Sequence, residues 1–213
     1  MKTPQIGVGI VGAGSRGIYC LGARMAESVQ ETGLVVRAVC DILPDRAAEA
    51  HDFLAAEYRK RGVEISPSTY SDYRQLIDDP GIEFVVVTTR SNFHRDPAVA
   101  AMRSGKKTYL DKPIAHNLED SIAIVEEERR TGNRLIMGFT RRYEAPWRKA
   151  FELLRGGAIG PLQMMQIRAV IPYHVFFHRW HRRRAWSGGA LNDKSSHHCD
   201  VLNWFAESEC ERL

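Results

Sequence analysis

Three side chains from two distant parts of the chain have the types that oxidation of an alcohol carbon needs. Lys112 stands in the run Tyr109-Leu110-Asp111-Lys112-Pro113, and Asp193 precedes His197 by four positions. An ammonium can stabilise alkoxide character on a substrate oxygen, and an imidazole can take the hydroxyl proton. A carboxylate can orient that ring or hold a neighbouring hydroxyl. The proline after Lys112 restricts the lysine to extended backbone and so partly fixes its direction. Asp193 and His197 share a face if a helix begins there, with Asp200 on a neighbouring row. Each residue also has a plainer reading, as a solvated loop lysine, a helix-capping aspartate and a surface histidine, with Ser195 and Ser196 as further caps. The pair Gly188-Gly189 suits close approach of a ligand or a simple turn.

A second group is the run Gly12-Ala13-Gly14-Ser15-Arg16-Gly17, placed after an apolar strand pattern and before a helical one. In this G-x-G-x-x-G spacing, Gly12 permits the tight turn, Gly14 lets backbone approach a pyrophosphate, and Gly17 lets helix pack on strand. The free N–H groups at the start of the helix then face an anion. Asp41 closes the second strand, where a carboxylate would accept hydrogen bonds from a ribose diol and repel a 2′-phosphate, so NAD is expected over NADP. Arg46 lies near enough in sequence to blur that preference.

The elements that must position these groups follow from periodicity. Strands are expected at Ile6–Val11, Leu34–Cys40, Phe84–Thr88, Lys107–Leu110 and Leu135–Gly138, with a short one near Ser68–Tyr70. Helices fall between them at about 16–28, 44–61, 72–78, 93–104 and 118–131. Pro44 suits a first turn, and Gly105 and Gly132 suit left-handed helix ends. This alternation implies an α/β fold, a Rossmann-type doubly wound parallel sheet over residues 1–140. Lys112, following the fifth strand, would point into the ligand crevice. Residues 141–213 read as the start of an α+β domain: a helix at about 145–154, a strand from Leu162 to about Ile171, an aromatic and arginine-rich loop, and a helix at about 195–205. One strand makes no stable sheet, so this second domain reads as unfinished: either the chain is a fragment or another chain supplies the missing strands.

Composition narrows the function classes. A net charge of +4 with interspersed acids gives little support to nucleic-acid binding. The triplet Arg182-Arg183-Arg184 beside Trp180 and Trp186 reads as a solvated loop, with an anionic substrate group as the lesser possibility. Cys20, Cys40, Cys199 and Cys210 lack paired spacing, which favours reduced thiols and a cytoplasmic setting. No secretory leader and no membrane-spanning run are evident. His174, His178 and His181, with His197, His198 and Cys199, have no regular metal-ligand spacing, and no metal is expected.

These motifs, in this order, resemble the Gfo/Idh/MocA oxidoreductases, named for glucose-fructose oxidoreductase and inositol dehydrogenase. The match comprises the glycine run, Asp41, Thr89-Arg90-Ser91-Asn92-Phe93-His94, Leu110-Asp111-Lys112-Pro113, Gly138-Phe139-Thr140-Arg141-Arg142-Tyr143, Gly157-Ala158-Ile159-Gly160, and Gly188-Gly189-Ala190-Leu191-Asn192-Asp193 through His197 to Asp200. The resemblance implies that Lys112 is the lysine of the family's E-K-P motif and His197 the general base, with Asp193 holding the reacting hydroxyl. It places Gly12, Gly14, Ser15, Arg16, Gly17, Asp41, Thr89 and His94 near the cofactor, and Arg142 and Tyr143 along the substrate crevice. Three positions depart from the pattern: Asp111 for Glu, Arg90 for Pro, and Lys194-Ser195 for Met-Gly. The second cation at Lys194 makes an acidic sugar conceivable. The resemblance implies a hydride transfer between NAD and a secondary alcohol of a sugar, cyclitol or sugar acid, in a polyol-binding homo-oligomer. It also implies that a third or more of the full protein lies beyond this chain. An NAD-using glycoside hydrolase and a non-catalytic sugar sensor share the fold and stand as alternatives.

Overall fold

The computed structural model describes residues 4–132, 135–170 and 179–211. Six parallel strands run in the order β3-β2-β1-β4-β5-β6: β1 is Ile6–Val11, β2 Leu34–Cys40, β3 Ser68–Tyr70, β4 Phe84–Val87, β5 Lys107–Leu110 and β6 Leu135–Met137. The short strand at Ser68–Tyr70 is real and forms one edge. The order reverses between β1 and β4, and in such sheets the ligand crevice opens at the carboxyl ends beside that switch. Asp41, Thr88 and Asp111 each follow a strand directly and so lie on that rim.

The central strands are almost continuously apolar because both faces are covered. Val11, Ala38, Cys40, Val85 and Val87 join one buried cluster, while Val8, Ile10, Val36, Val39 and Val86 join the other. The two-residue alternation of a strand divides them between the faces. Helices α1 (Ala23–Glu27), α2 (Val29–Thr32) and α3 (Pro44–Arg59) follow the first strands, and α4 (Tyr73–Asp78), α5 (Arg95–Arg103) and α6 (Leu118–Thr131) the later ones. In α3, Ala47, Ala50, Leu54 and Tyr58 form the buried stripe, and Pro44 occupies the first turn. Tyr58 also accepts from the N–H of Val36 at 3.1 Å and donates to the carbonyl of Leu34 at 2.8 Å, satisfying strand groups lying outside the β2–β3 ladder. Helix α6 begins where the Asn117 side chain accepts from the N–H of Asp120 at 2.7 Å and ends at left-handed Gly132.

The structure corrects three expectations. The helix expected at 16–28 is not uniform: a wider π-helical stretch, Arg16–Gly22, leads into α1, and a break at Ser28 precedes α2. The expected strand from Leu162 is absent over 162–170, since among the described residues no partner strand supplies a ladder for it. Ile171 lies outside the described residues, as do His174 and His178. The helix expected at 195–205 starts earlier, as a π-helical stretch at Leu191–Ser195 that continues into a regular helix. The later elements are α7 (Ala145–Arg155), α8 (Arg184–Ser187) and α9 (Ser196–Ala206). Among the described residues no helix is long and apolar enough to cross a membrane.

Packing fixes the glycine turn more tightly than its sequence spacing suggests. Gly12 has φ +99°, and a Cβ there would come within 2.8 Å of the Thr88 carbonyl carbon and the Thr89 nitrogen. A Cβ on Gly17 would overlap the Thr88 side chain and the Gly12 carbonyl, whereas one on Gly14 would meet nothing within 4 Å. Gly17→Ala is therefore expected to cost about 1–3 kcal/mol in a urea titration, and Gly14→Ala to stay within about 0.5 kcal/mol. Equal losses for the two variants would contradict this packing.

Candidate functional site

Lys112 and Asp193 meet across 81 residues of sequence. The Lys112 Nζ donates to the Asp193 carbonyl at 2.7 Å and lies 3.2 Å from its Oδ1, with side-chain exposures of 15% and 2%. Asp193 sits in the π-helical stretch leading into α9, and unusual turns of this kind recur where a side chain must be re-aimed. Asn192 anchors the same stretch, donating to the carbonyls of Ala115 at 2.8 Å and Ser187 at 3.1 Å. Left-handed Gly188 permits this approach, since a Cβ there would overlap the His116 carbonyl and the Asn192 side chain. Two buried side-chain atoms here, Asp193 Oδ2 and His197 Nδ1, have no hydrogen-bond partner among the described residues. A buried polar atom left unpaired is costly, which makes both natural contacts for a ligand hydroxyl.

Burial, then the charges of Lys112, Arg141, Lys194 and His198, hold the His197 pKa down to about 4. The ring is therefore neutral at physiological pH, as a proton acceptor must be. Phe139 packs edge-on against it with centroids 6.1 Å apart.

On the cofactor side, Asp41 builds the glycine turn itself. Its Oδ2 accepts from the Ala13 N–H at 2.9 Å and its Oδ1 from the Leu43 N–H at 3.0 Å, and it is 8% exposed. Arg46 Nη1 stands 3.8 Å away. Thr88 ties the turn to β4 through a 2.9 Å bond to the Gly12 carbonyl. Ser15 stands exposed at the helix entrance without making a capping bond. A dinucleotide fits these residues: Gly14 faces open space, and each Asp41 oxygen keeps an acceptor site beyond its backbone bond.

Arg16 links the two sides. Its Nε reaches both Asp111 oxygens at 3.2 and 3.3 Å and its Nη2 the Tyr109 hydroxyl at 3.3 Å. Burial works against the Arg16 charge, but Asp111 and Tyr109 outweigh it and raise the pKa. Tyr109 is itself pushed up to about 12, by burial first and then by Asp111. His94 is 1% exposed, with Nδ1 facing the carbonyls of Pro113 at 2.9 Å and Ile114 at 3.3 Å and Nε2 facing that of Thr89 at 3.1 Å. It holds the two rim loops together through the backbone. The Thr89 hydroxyl donates to the Phe93 carbonyl at 3.1 Å.

Of the two residues expected along the crevice, Arg142 is ion-paired and Tyr143 is open to solvent. The Arg142 guanidinium grips Asp200 through three contacts of 2.7–3.0 Å, and Tyr143 is 70% exposed. The neighbouring Arg141 instead lines a cavity with His197. A doubled arginine carries no sequence signal for which member turns inward. Arg141, Asn192 and Thr88 stand beside the expected residues through contacts between distant segments, which spacing alone does not show. Arg90, in the place of a proline, lies over the Trp186 ring at 4.7 Å and joins the rim to α8.

His197 gives this geometry a measurable pH signature. Its folded pKa of about 4 lies below the ordinary 6.5, so its contribution to stability is full above about pH 6.5 and is lost as pH falls toward 4. Thermal unfolding of His197→Asn should show a shallower decline than the parent between about pH 7 and pH 5. Parallel curves would mean that the ring is not buried among these cations.

The chain shares both parts with known proteins. Residues 6–139 match the oxidoreductase family, NAD-binding Rossmann fold, and residues 147–213 match the GFO/IDH/MocA C-terminal domain. Inositol 2-dehydrogenase of Salmonella typhimurium is 31% identical over 206 residues, covering 94% of this chain and 54% of that protein. The Lactiplantibacillus plantarum inositol 2-dehydrogenase/D-chiro-inositol 3-dehydrogenase is 29% identical over 203 residues, covering 95% and 53%. The solved scyllo-inositol dehydrogenase of Lactobacillus casei, with bound NAD(H) and scyllo-inositol, superposes with a TM-score of 0.76 at 25% identity, covering 95% of this chain and 56% of that one. The chain therefore spans about half the length of these relatives. With its nucleotide fold and the opening of its second domain both matched, the chain belongs to the GFO/IDH/MocA oxidoreductase family.

Proposed function

We propose that the protein carrying this chain is an NAD-dependent dehydrogenase acting on a secondary alcohol of a cyclitol, sugar or sugar acid. The observation that carries this reading is the buried Lys112–Asp193 pair beside a neutral His197, at the carboxyl edge of the sheet. The inositol dehydrogenases among its relatives support the substrate class, and the NAD(H)-bound structure supports the cofactor.

Lys112, close to Asp193 but 15% exposed, donates a hydrogen bond to the substrate hydroxyl oxygen and stabilises the negative charge that develops there. His197 Nδ1 takes the hydroxyl proton as the carbonyl forms, and Asp193 Oδ2 accepts from a hydroxyl and sets the reacting carbon's orientation. NAD supplies the acceptor for the electron pair and hydrogen that leave that carbon. Asp41 favours an unphosphorylated adenosine ribose, because its charge repels a 2′-phosphate.

The test is oxidation of a panel of cyclitols, sugars and sugar acids by the whole protein, followed through the absorbance of reduced nicotinamide. Lys112→Met and His197→Asn should each lower kcat/KM by about 100-fold or more, with NAD affinity measured by calorimetry little changed. Retained turnover in either folded, NAD-binding variant would overturn the assigned roles.

A further inference from the structure

A lysine ammonium sits on a flexible four-carbon stem and can occupy many places. Lys112 Nζ is nevertheless held at one point, 2.7 Å from the Asp193 carbonyl and 3.2 Å from Asp193 Oδ1, with 15% of the side chain exposed. The backbone aims such a side chain, and here the residues on both sides of Lys112 are tied to distant segments.

Asp111 stands before it. Its N–H donates to the Val87 carbonyl at 3.0 Å, which continues the β4–β5 ladder one residue past the strand. Its carboxylate accepts from Arg16 Nε at 3.2 and 3.3 Å and from the Tyr109 hydroxyl at 3.3 Å, and is 13% exposed. Glycine at 138 leaves room for this cluster, since a Cβ there would lie 2.6 Å from Asp111 Oδ1. Pro113 stands after the lysine, and its carbonyl meets His94 Nδ1 at 2.9 Å. The far nitrogen of the same ring reaches the Thr89 carbonyl at 3.1 Å. Both ring nitrogens are thus engaged inside the protein and the residue is 1% exposed, which suits a brace between two loops and not a contact with a nucleotide.

Resting on the dehydrogenase reading, we propose that Asp111 and His94 are positioning residues for Lys112. Asp111, held by Arg16, and His94, braced against Thr89, fix the backbone immediately before and after the lysine, so that its ammonium already stands at Asp193 when a substrate arrives. A displacement of about 1 Å in a reacting group can cost about 100-fold in rate. Loss of either anchor therefore falls on turnover and not on cofactor affinity.

Acetylation by acetic anhydride, read lysine by lysine by mass spectrometry on the whole protein, tests the placement without any substrate. Lys106 is the control: at the other end of β5, its Nζ donates to the carbonyls of Asp79 at 2.9 Å and Ile82 at 2.6 Å. Asp111→Asn and His94→Phe should each speed acetylation of Lys112 by about 5-fold or more and leave Lys106 unchanged. Arg16→Met should match Asp111→Asn, and the double variant should add nothing further. Unchanged labelling of Lys112 would show that it is not anchored, and a rise shared by Lys106 would show general loosening; either result overturns the proposal. Where His94→Phe does not fold, Asp111→Asn and Arg16→Met decide. On an alcohol that the parent protein oxidises, Asp111→Asn should lower kcat by about 10-fold and keep the calorimetric Kd for NAD within about 3-fold. A loss confined to NAD affinity would make Asp111 a cofactor contact and overturn its positioning role. If no alcohol is oxidised, the dehydrogenase reading fails, while the labelling still decides whether Lys112 is anchored.

Discussion

The ion pair between Lys112 and Asp193 is the constraint on which the site depends. It spans the end of β5 and the turn entering α9, two segments with no local reason to meet. Such a pair is held only where its geometry and additional hydrogen bonds offset desolvation, and removing one partner typically costs about 3–5 kcal/mol. Here the Asp193 carbonyl and the Asn192 bonds supply that support. With the turn fixed, His197 is carried into a cationic, half-dry environment, and its proton affinity falls as a consequence. After burial, Lys112 is the first of the charges that lower the His197 pKa, although it comes from the other part of the chain.

The cofactor side has its own organising carboxylate. Asp41 lends its oxygens to the N–H groups of Ala13 and Leu43, so the glycine turn is shaped before a nucleotide arrives. Preorganisation of this kind lowers the ordering cost of binding. The Arg16–Asp111 bridge then couples that turn to the residue adjoining Lys112, and a Cβ on Gly138 would push against the Tyr109 hydroxyl and the Asp111 carboxylate. Asp111 in place of glutamate gives this bridge a shorter arm.

Much of the fold was legible in the sequence because its signals are local. Apolar runs rich in valine marked β1, β2 and β4, Gly132 marked the end of α6, and the glycine spacing marked the nucleotide turn. Legibility failed where the signal was not local. Residues 162–170 alternate only in part, and a strand exists only with a partner. The π-helical stretches at Arg16–Gly22 and Leu191–Ser195 have no sequence mark that separates them from ordinary helix.

The sequence by itself determined that a nucleotide-type turn, a strand-end lysine and an Asp/His pair occur in one chain, since spacing and backbone propensity are properties of neighbouring residues. Tertiary structure alone decided which charges share a space: Arg16 with Asp111, Arg142 with Asp200, Arg141 with His197. Electrostatic and hydrogen-bonding energies depend on distance and burial, and no linear spacing encodes those for segments that meet only when the sheet and its second domain are folded.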